Sequence, residues 1–344
     1  MLERGSVTSP TRHTVAAIHC ALGLDDLLDA DANCVIDILR RNVSDLINLF
    51  LCPIVVALLP WSIGYRLLKR YARIDKSHPE AVESAWYAAR EHLAGVDAQD
   101  WMWRFRLLRL VERVDAWLIM FRGASWWRKR IDVSGDWPDP ATANVFLTYH
   151  WGGGQWVWRP LREHGIGAWF LARRAEVPDL GGGRVSLWFA RVREFGMRRT
   201  GSHGPLFTGG SGDEIRKQLE VGHSVVGMLD LPPRAGQVSA EGPLLDGWVR
   251  IPTGLVRLAI GAQVPLVLLS CAFDIRTGRR ILRIEPLKAG TSIENAAACY
   301  IRHLDECLRR ESAFWQLWNQ APLMFVRRAE APGANPEQPD PDAR

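Results

Sequence analysis

No Cys-x-x-Cys pair and no His/Cys cluster with metal-ligand spacing occurs in the sequence, so neither a structural zinc site nor a dithiol redox centre is expected. The six cysteines, Cys20, Cys34, Cys52, Cys271, Cys299 and Cys307, read as reduced, partly buried thiols in a cytoplasmic compartment. The Gly-x-Ser-x-Gly elbow is also missing, which leaves a serine esterase or thioesterase without its nucleophile. The run Thr208-Gly-Gly-Ser-Gly212 opens a helical pattern but lacks the Lys-Ser/Thr of a P-loop. It reads instead as a connection capped by Ser211 or Asp213. No internal repeat is visible. Residues 1–35 contain no basic start leading into an apolar run and a small-residue cleavage site, so no secretory signal is expected.

Positive charge and tryptophan are plentiful. Lys and Arg number 43 against 38 Asp and Glu, and the basic surplus gathers in Arg40-Arg41, in Arg66 to Arg73 and in Trp126-Trp127-Arg128-Lys129-Arg130. Such clusters suit phosphate, anionic lipid or nucleic acid, and they also occur as solvated helix faces. Sixteen Trp is a heavy load. Several stand beside Arg, as in Trp101-Met-Trp103-Arg104 and Trp156-Val-Trp158-Arg159, which fits a membrane–water interface or core aromatics with exposed neighbours.

From Leu46 to Tyr65 the chain carries no charge over nearly the length needed to span a bilayer, with basic residues at both ends. Pro53 and Pro60 would each remove a helix hydrogen bond, so a broken or re-entrant interfacial helix and a clean span are both open, as is a hairpin of core helices. Residues 79–122 show apolar groups at helical spacing, including Leu107, Leu110, Val111, Val114, Trp117 and Leu118, and predict two or three amphipathic helices. After the turn Asp136-Trp-Pro-Asp-Pro the pattern changes. Apolar runs at Val145–Thr148, Ala168–Leu171, Val225–Leu229 and Val264–Leu269 alternate with helical patterns at Gly212–Glu220 and Ile251–Ile260. This predicts an α/β fold with a mainly parallel central sheet flanked by helices, behind an N-terminal membrane-associated helical segment. Four segments result: an extension 1–35, a membrane-associated segment 36–75, a catalytic domain 76–328 and a disordered tail 329–344 rich in Pro, Ala, Gly, Glu and Asp.

One constellation carries chemistry. The run Val145-Phe-Leu-Thr-Tyr-His150-Trp-Gly-Gly-Gly-Gln155 places an imidazole at the C-terminal end of a short strand, where open α/β sheets build their sites. Gly152, Gly153 and Gly154 admit a bulky substrate close to the backbone, and their N–H groups can face a developing oxyanion. A histidine satisfied at a tight turn is the plainer alternative. His92-Leu-Ala-Gly-Val-Asp97 also offers a His-to-acid spacing, but it lies in a charged helical segment without a strand or glycine turn. The other histidines, at 13, 19, 78, 164, 203, 223 and 303, read as surface or helix-cap residues.

The His150 segment resembles the first motif of the lysophospholipid acyltransferase superfamily, in which four residues separate His from Asp or Glu. The similarity runs from about Leu46 to Arg328 and is nearest to the bacterial lipid A late acyltransferases, the lauroyl- and myristoyltransferases. Leu59-Pro60-Trp61 and Tyr65-Arg66 match its N-terminal element, and Phe170-Leu-Ala-Arg173-Arg174 matches a strand ending at a substrate-holding Arg. Ile215 to Asp230 matches a helix and an apolar strand ending in Asp. Pro252-Thr253-Gly254 matches a helix start, and Trp315 to Asn319 stands where the family closes on Trp-x-His-Arg-Arg.

The resemblance implies an acyltransferase fold at the cytoplasmic face of the inner membrane. There a fatty acyl group passes from acyl-CoA or acyl carrier protein to a hydroxyl or amine of a lipid or glycolipid. It implies His150 as general base, Arg173 or Arg174 on a phosphate or acyl carbonyl, and Asp230 at the pocket floor, with no metal, bound cofactor or nucleic acid. Gln155 occupies the usual acid position. An amide there can accept the ring N–H and hold the tautomer but brings no charge, so the expectation is a weakened base oriented by Gln155, or a quiet lipid- or acyl-binding homologue.

Overall fold

The computed structural model describes residues 32–75, 79–174 and 184–326. The expected tail, 329–344, and most of the expected extension, 1–35, lie outside the described residues. Among the described residues ten strands form: β1 (Ile131–Ser134), β2 (Val145–Thr148), β3 (Ala168–Ala172), β4 (Ser202–Phe207), β5 (Ser224–Met228), β6 (Ser239–Leu244), β7 (Gly247–Pro252), β8 (Leu266–Phe273), β9 (Arg280–Pro286) and β10 (Phe325–Val326). Seven of them make one sheet in the order β1-β9-β8-β2-β5-β3-β4, parallel at every pairing except β8 with β9. The remaining three, in the order β10-β7-β6, make a small antiparallel sheet. All eight residues of β8 are buried, as expected for a strand covered on both faces. The fold class is therefore the expected one: α/β, with a mainly parallel sheet flanked by helices.

The four apolar runs all become strands, with small shifts at their ends. Helix Gly212–Glu220 forms with the bounds its pattern marks. The pattern at Ile251–Ile260 is corrected, since Ile251 and Pro252 close β7 and the helix begins only at Gly254, after the N-cap Thr253. The fully buried Ile251 pairs with Ala240 across the small sheet, so apolar character there reflects a strand end rather than a helix face. Residues 79–122 give helix Pro79–Ala89, a 3₁₀ turn at Arg90–His92 and the long helix Ala98–Phe121, whose N-cap Asp97 accepts from the Asp100 amide.

The apolar segment resolves its two prolines differently. Helix Ala32–Asp45 runs through a π-turn, Leu46–Leu51, into helix Cys52–Leu58, where Pro53 lacks the N–H a continuous helix would use and the Trp117 indole N–H donates to the Leu49 carbonyl at 2.8 Å. Pro60 is the break and N-caps the next helix, Trp61–Ile74. The guanidinium of Arg122 donates to the carbonyls of Ala57, Leu58 and Leu59 at 2.7–3.0 Å, satisfying a helix end that has no continuation. Ile36–Leu58 is long and apolar enough to cross a membrane, and only 17% of its apolar window is buried. Exposed Leu39, Val43, Leu51, Val55 and Leu58 argue against a helix of a soluble core.

Tryptophan serves the core instead of an interface. Trp101, Trp127, Trp156, Trp315 and Trp318 are among the largest fully buried side chains, and only Trp188 is exposed. The Trp-Arg juxtapositions therefore arise from aromatic cores with basic rims. Arg280 completes that core. Its guanidinium is buried, bonds both oxygens of the buried Asp115 and lies 4.4 Å over the Trp61 ring, tying β9, the long helix and the post-Pro60 helix together. Burial pushes the Asp115 carboxyl up to about 6 against the pull of Arg280. Replacing Asp115 by Ala strands the buried guanidinium and is expected to cost about 3–5 kcal/mol in denaturant unfolding. Asp132→Ala, which breaks the exposed pair with Arg279, is expected to cost under about 1 kcal/mol.

Candidate functional site

The parallel register of β2 and β5 pairs Val145 with Val225 and Thr148 with Met228. Continued by two residues past both strands, that register brings His150 opposite Asp230. The Asp230 carboxylate takes up both sides of the histidine. Its Oδ2 accepts the His150 backbone N–H at 2.8 Å, and its Oδ1 lies 3.0 Å from the ring Nδ1. A buried carboxylate accepts and does not donate, so Nδ1 carries the proton and Nε2 keeps the lone pair. Asp230 is fully buried, while the His150 side chain remains 28% exposed. The base is thus reachable and its counter-charge is not.

Two further groups hold Asp230. The Trp315 indole N–H donates to Asp230 Oδ2 at 2.9 Å. The Tyr300 hydroxyl accepts the backbone N–H groups of Leu229 and Asp230 and donates to the Thr148 carbonyl at 2.8 Å, clipping the ends of β5 and β2 together. Burial holds the Tyr300 phenol well above its ordinary range, so this donor stays neutral. Sequence reasoning did not place Tyr300 in the site, because a Tyr on helix Ile293–Arg310 has no motif around it. Trp315 stood in the closing element of the resemblance, and that was its only signal.

The expected orienting role of Gln155 is corrected. Its side-chain oxygen is buried and makes no hydrogen bond, whereas the ring N–H goes to Asp230. The turn carries Gln155 away from the ring because Gly152 adopts φ +69°, and a Cβ there would lie 1.9 Å from the Cys271 carbonyl oxygen of β8. The N–H of Gly152 is also spent, donated to the Phe314 carbonyl at 2.8 Å, so it is no oxyanion donor. Gln316 buttresses the turn: its backbone N–H donates to the His150 carbonyl and its side-chain amide to the Gly152 carbonyl. The N–H groups of Gly153 and Gly154 make no hydrogen bond among the described residues. Behind Gly153 stands Glu112, whose Cγ would lie 3.1 Å from an added Cβ.

Arg173 and Arg174 follow β3 on the same edge of the sheet, one strand beyond β5. Both are exposed, and Arg174 stacks on Phe207 at 4.5 Å. His92 is stacked on Phe325 and bonded to Asp246, so its acidic partner is not Asp97. One histidine read as a surface residue is corrected: His303 is buried against the Tyr149 hydroxyl at 2.9 Å. No group of three or more His, Cys, Asp or Glu able to hold a metal occurs among the described residues. Cys52, Cys271, Cys299 and Cys307 are free thiols.

Burial works against a charged His150, but the Asp230 carboxylate and the more distant Glu112 outweigh it and raise the imidazole above its ordinary 6.5. Native His150 therefore holds its proton more tightly than the unfolded chain does. Its contribution to stability is complete below about 6.5 and is lost as pH rises through the higher native value. A ring-proton NMR titration is expected to place His150 above 6.5, with the inflection moving to lower pH in Asp230→Asn and unmoved in Gln155→Ala. An unmoved inflection in Asp230→Asn would show that the pair does not set the base. Compared with models of protein families and with curated proteins, the chain matches none.

Proposed function

We propose that the protein is a membrane-associated acyltransferase that moves a fatty acyl group from acyl-CoA or acyl carrier protein to a hydroxyl or amine of a lipid or glycolipid acceptor. The observation that carries this reading is the His150–Asp230 pair at the C-terminal sheet edge, with Nδ1 protonated and the partly exposed ring offering Nε2 as base. Nε2 takes the proton of the acceptor as its oxygen or nitrogen attacks the thioester carbonyl. The buried Asp230 charge stabilises the imidazolium that results. The tetrahedral intermediate places its negative charge on the former carbonyl oxygen, for which the uncommitted N–H groups of Gly153 and Gly154 are the candidate donors. Collapse breaks the carbon–sulfur bond, and the leaving thiolate recovers the proton from Nε2. Acyl ester or amide and free thiol are the products.

An amide at position 155 favoured a weakened base or a quiet binder. The carboxylate of Asp230 supplies the charge that Gln155 lacks, which supports an enzyme over a binder. The exposed apolar face of Ile36–Leu58 and the basic residues Arg66, Lys69, Arg70 and Arg73 beside it support attachment to an anionic leaflet, in keeping with the cytoplasmic face of the inner membrane. The mainly parallel sheet agrees with an acyltransferase fold.

Assays with thioester donors and lipid acceptors are expected to show His150→Ala reducing turnover roughly 10²–10⁴-fold, the range of a lost general base. Unchanged transfer in that variant would refute the reading. Gln155→Glu is expected not to raise kcat, because the ring N–H is already held by Asp230. A rate increase would return the orienting role to position 155.

A further inference from the structure

Against the rear of the glycine turn lies a cavity of about 510 Å³ whose lining includes Arg41, Arg109, Arg113 and Arg193 together with Asp45 and Glu112. Four guanidinium groups face two carboxylates. One of those carboxylates is already engaged, since Asp45 accepts the Ser186 hydroxyl at 2.6 Å. Arg113 is the telling member. The residue is 9% exposed, yet its Nη1 has no hydrogen-bond partner. Burial, and then the neighbouring Arg109, push its pKa down in spite of Asp75 and Asp45. A buried guanidinium with an idle donor is costly unless an anion reaches it. Gln155 lines the same cavity, and its buried side-chain oxygen has no donor.

The cavity touches both the site and the apolar segment. Gln316 and Glu112 line it on the side of the His150 turn, and Arg41 and Leu49 line it on the side of the candidate span. A phosphate monoester carries about −1.5 to −2 at neutral pH, and arginine forks suit its oxygens in a lining where guanidinium groups outnumber carboxylates. We infer that this cavity binds a phosphate group of one of the two reactants and so anchors that reactant beside His150. The identity of the carrier rests on the acyltransferase reading; phosphate binding itself does not.

The test uses the full chain in detergent, with thermal unfolding followed as inorganic phosphate replaces chloride at constant ionic strength. A saturable rise in Tm is expected for the wild type and equally for His150→Ala, with at least tenfold weaker phosphate binding in Arg109→Gln and Arg193→Gln. Arg193 is exposed, so its replacement leaves the core intact. Phosphate acting no better than chloride, or acting equally on all variants, would overturn the inference. Competition then identifies the source: displacement of phosphate by coenzyme A assigns it to the donor, and displacement by phosphatidic acid in phosphatidylcholine vesicles assigns it to the acceptor. Displacement by neither overturns the assignment to a reactant. Full activity in His150→Ala with phosphate binding intact would instead sink the catalytic reading alone.

Discussion

The parallel pairing of β2 with β5 fixes the distance on which the site depends. Strands rise about 3.3 Å per residue, and side chains alternate between faces. A slip of one residue would turn Asp230 away from His150, and a slip of two would carry it about 7 Å along the edge. The register is held at several levels. Val145, Phe146 and Leu147 are fully buried, so a slip exposes or clashes apolar groups. Past the strands, where ladder bonds end, Tyr300 bridges Thr148 to Leu229 and Asp230, and Asp230 itself accepts the His150 backbone N–H. The same carboxylate that charges the imidazole also holds the backbone beneath it.

A fully buried carboxylate is expensive in water-free surroundings, and here the cost is offset by donors. The His150 backbone, the His150 ring and Trp315 all reach its two oxygens at 2.8–3.0 Å. Position 155 needs none of this. What a general base requires is negative charge within hydrogen-bond reach of the far ring nitrogen, and the route by which the chain supplies it is immaterial. A neighbouring parallel strand does so as well as the next turn, which frees Gln155 and Glu112 to face the cavity behind.

Much of the fold was legible because hydrophobic period and strand length agree. Val145–Thr148 and Gly212–Glu220 appear with the bounds their patterns mark. The edge strands β1 and β4 and the small sheet were not legible: Ile131–Ser134 is mostly exposed, and β6 contains Gly242 and Pro243, so neither shows a buried apolar run. For the site, His150 stood out through its strand and glycine turn. The partner was legible in principle, since two apolar runs, Val145 to His150 and Val225 to Asp230, each end in an ionisable residue at the same offset. Only the knowledge that these strands are neighbours and in register turns that into a contact. Tyr300 and Glu112 come from helices far away in sequence, and no spacing rule reaches them.

The long helix Ala98–Phe121 explains why a basic cavity can lie against an apolar segment. Successive helix positions are about 100° apart, so adjacent residues face different neighbours. Leu110 and Val114 line an apolar groove with Leu51, Pro53, Val55 and Leu67, while Arg109 and Arg113, one position earlier in each turn, line the cavity with Arg41 and Glu112. The π-turn Leu46–Leu51 contributes to both, with Leu49 on the cavity and Leu51 on the groove. A molecule with an anionic head and an apolar body meets the two chemistries in that order across one helix. The N-terminal segment is then more than an anchor. By packing on this helix it closes one wall of the basic cavity, so its own attachment to the rest of the fold, through Arg122 at the end of the long helix and Arg280 of β9 under Trp61, becomes a condition for the cavity to exist.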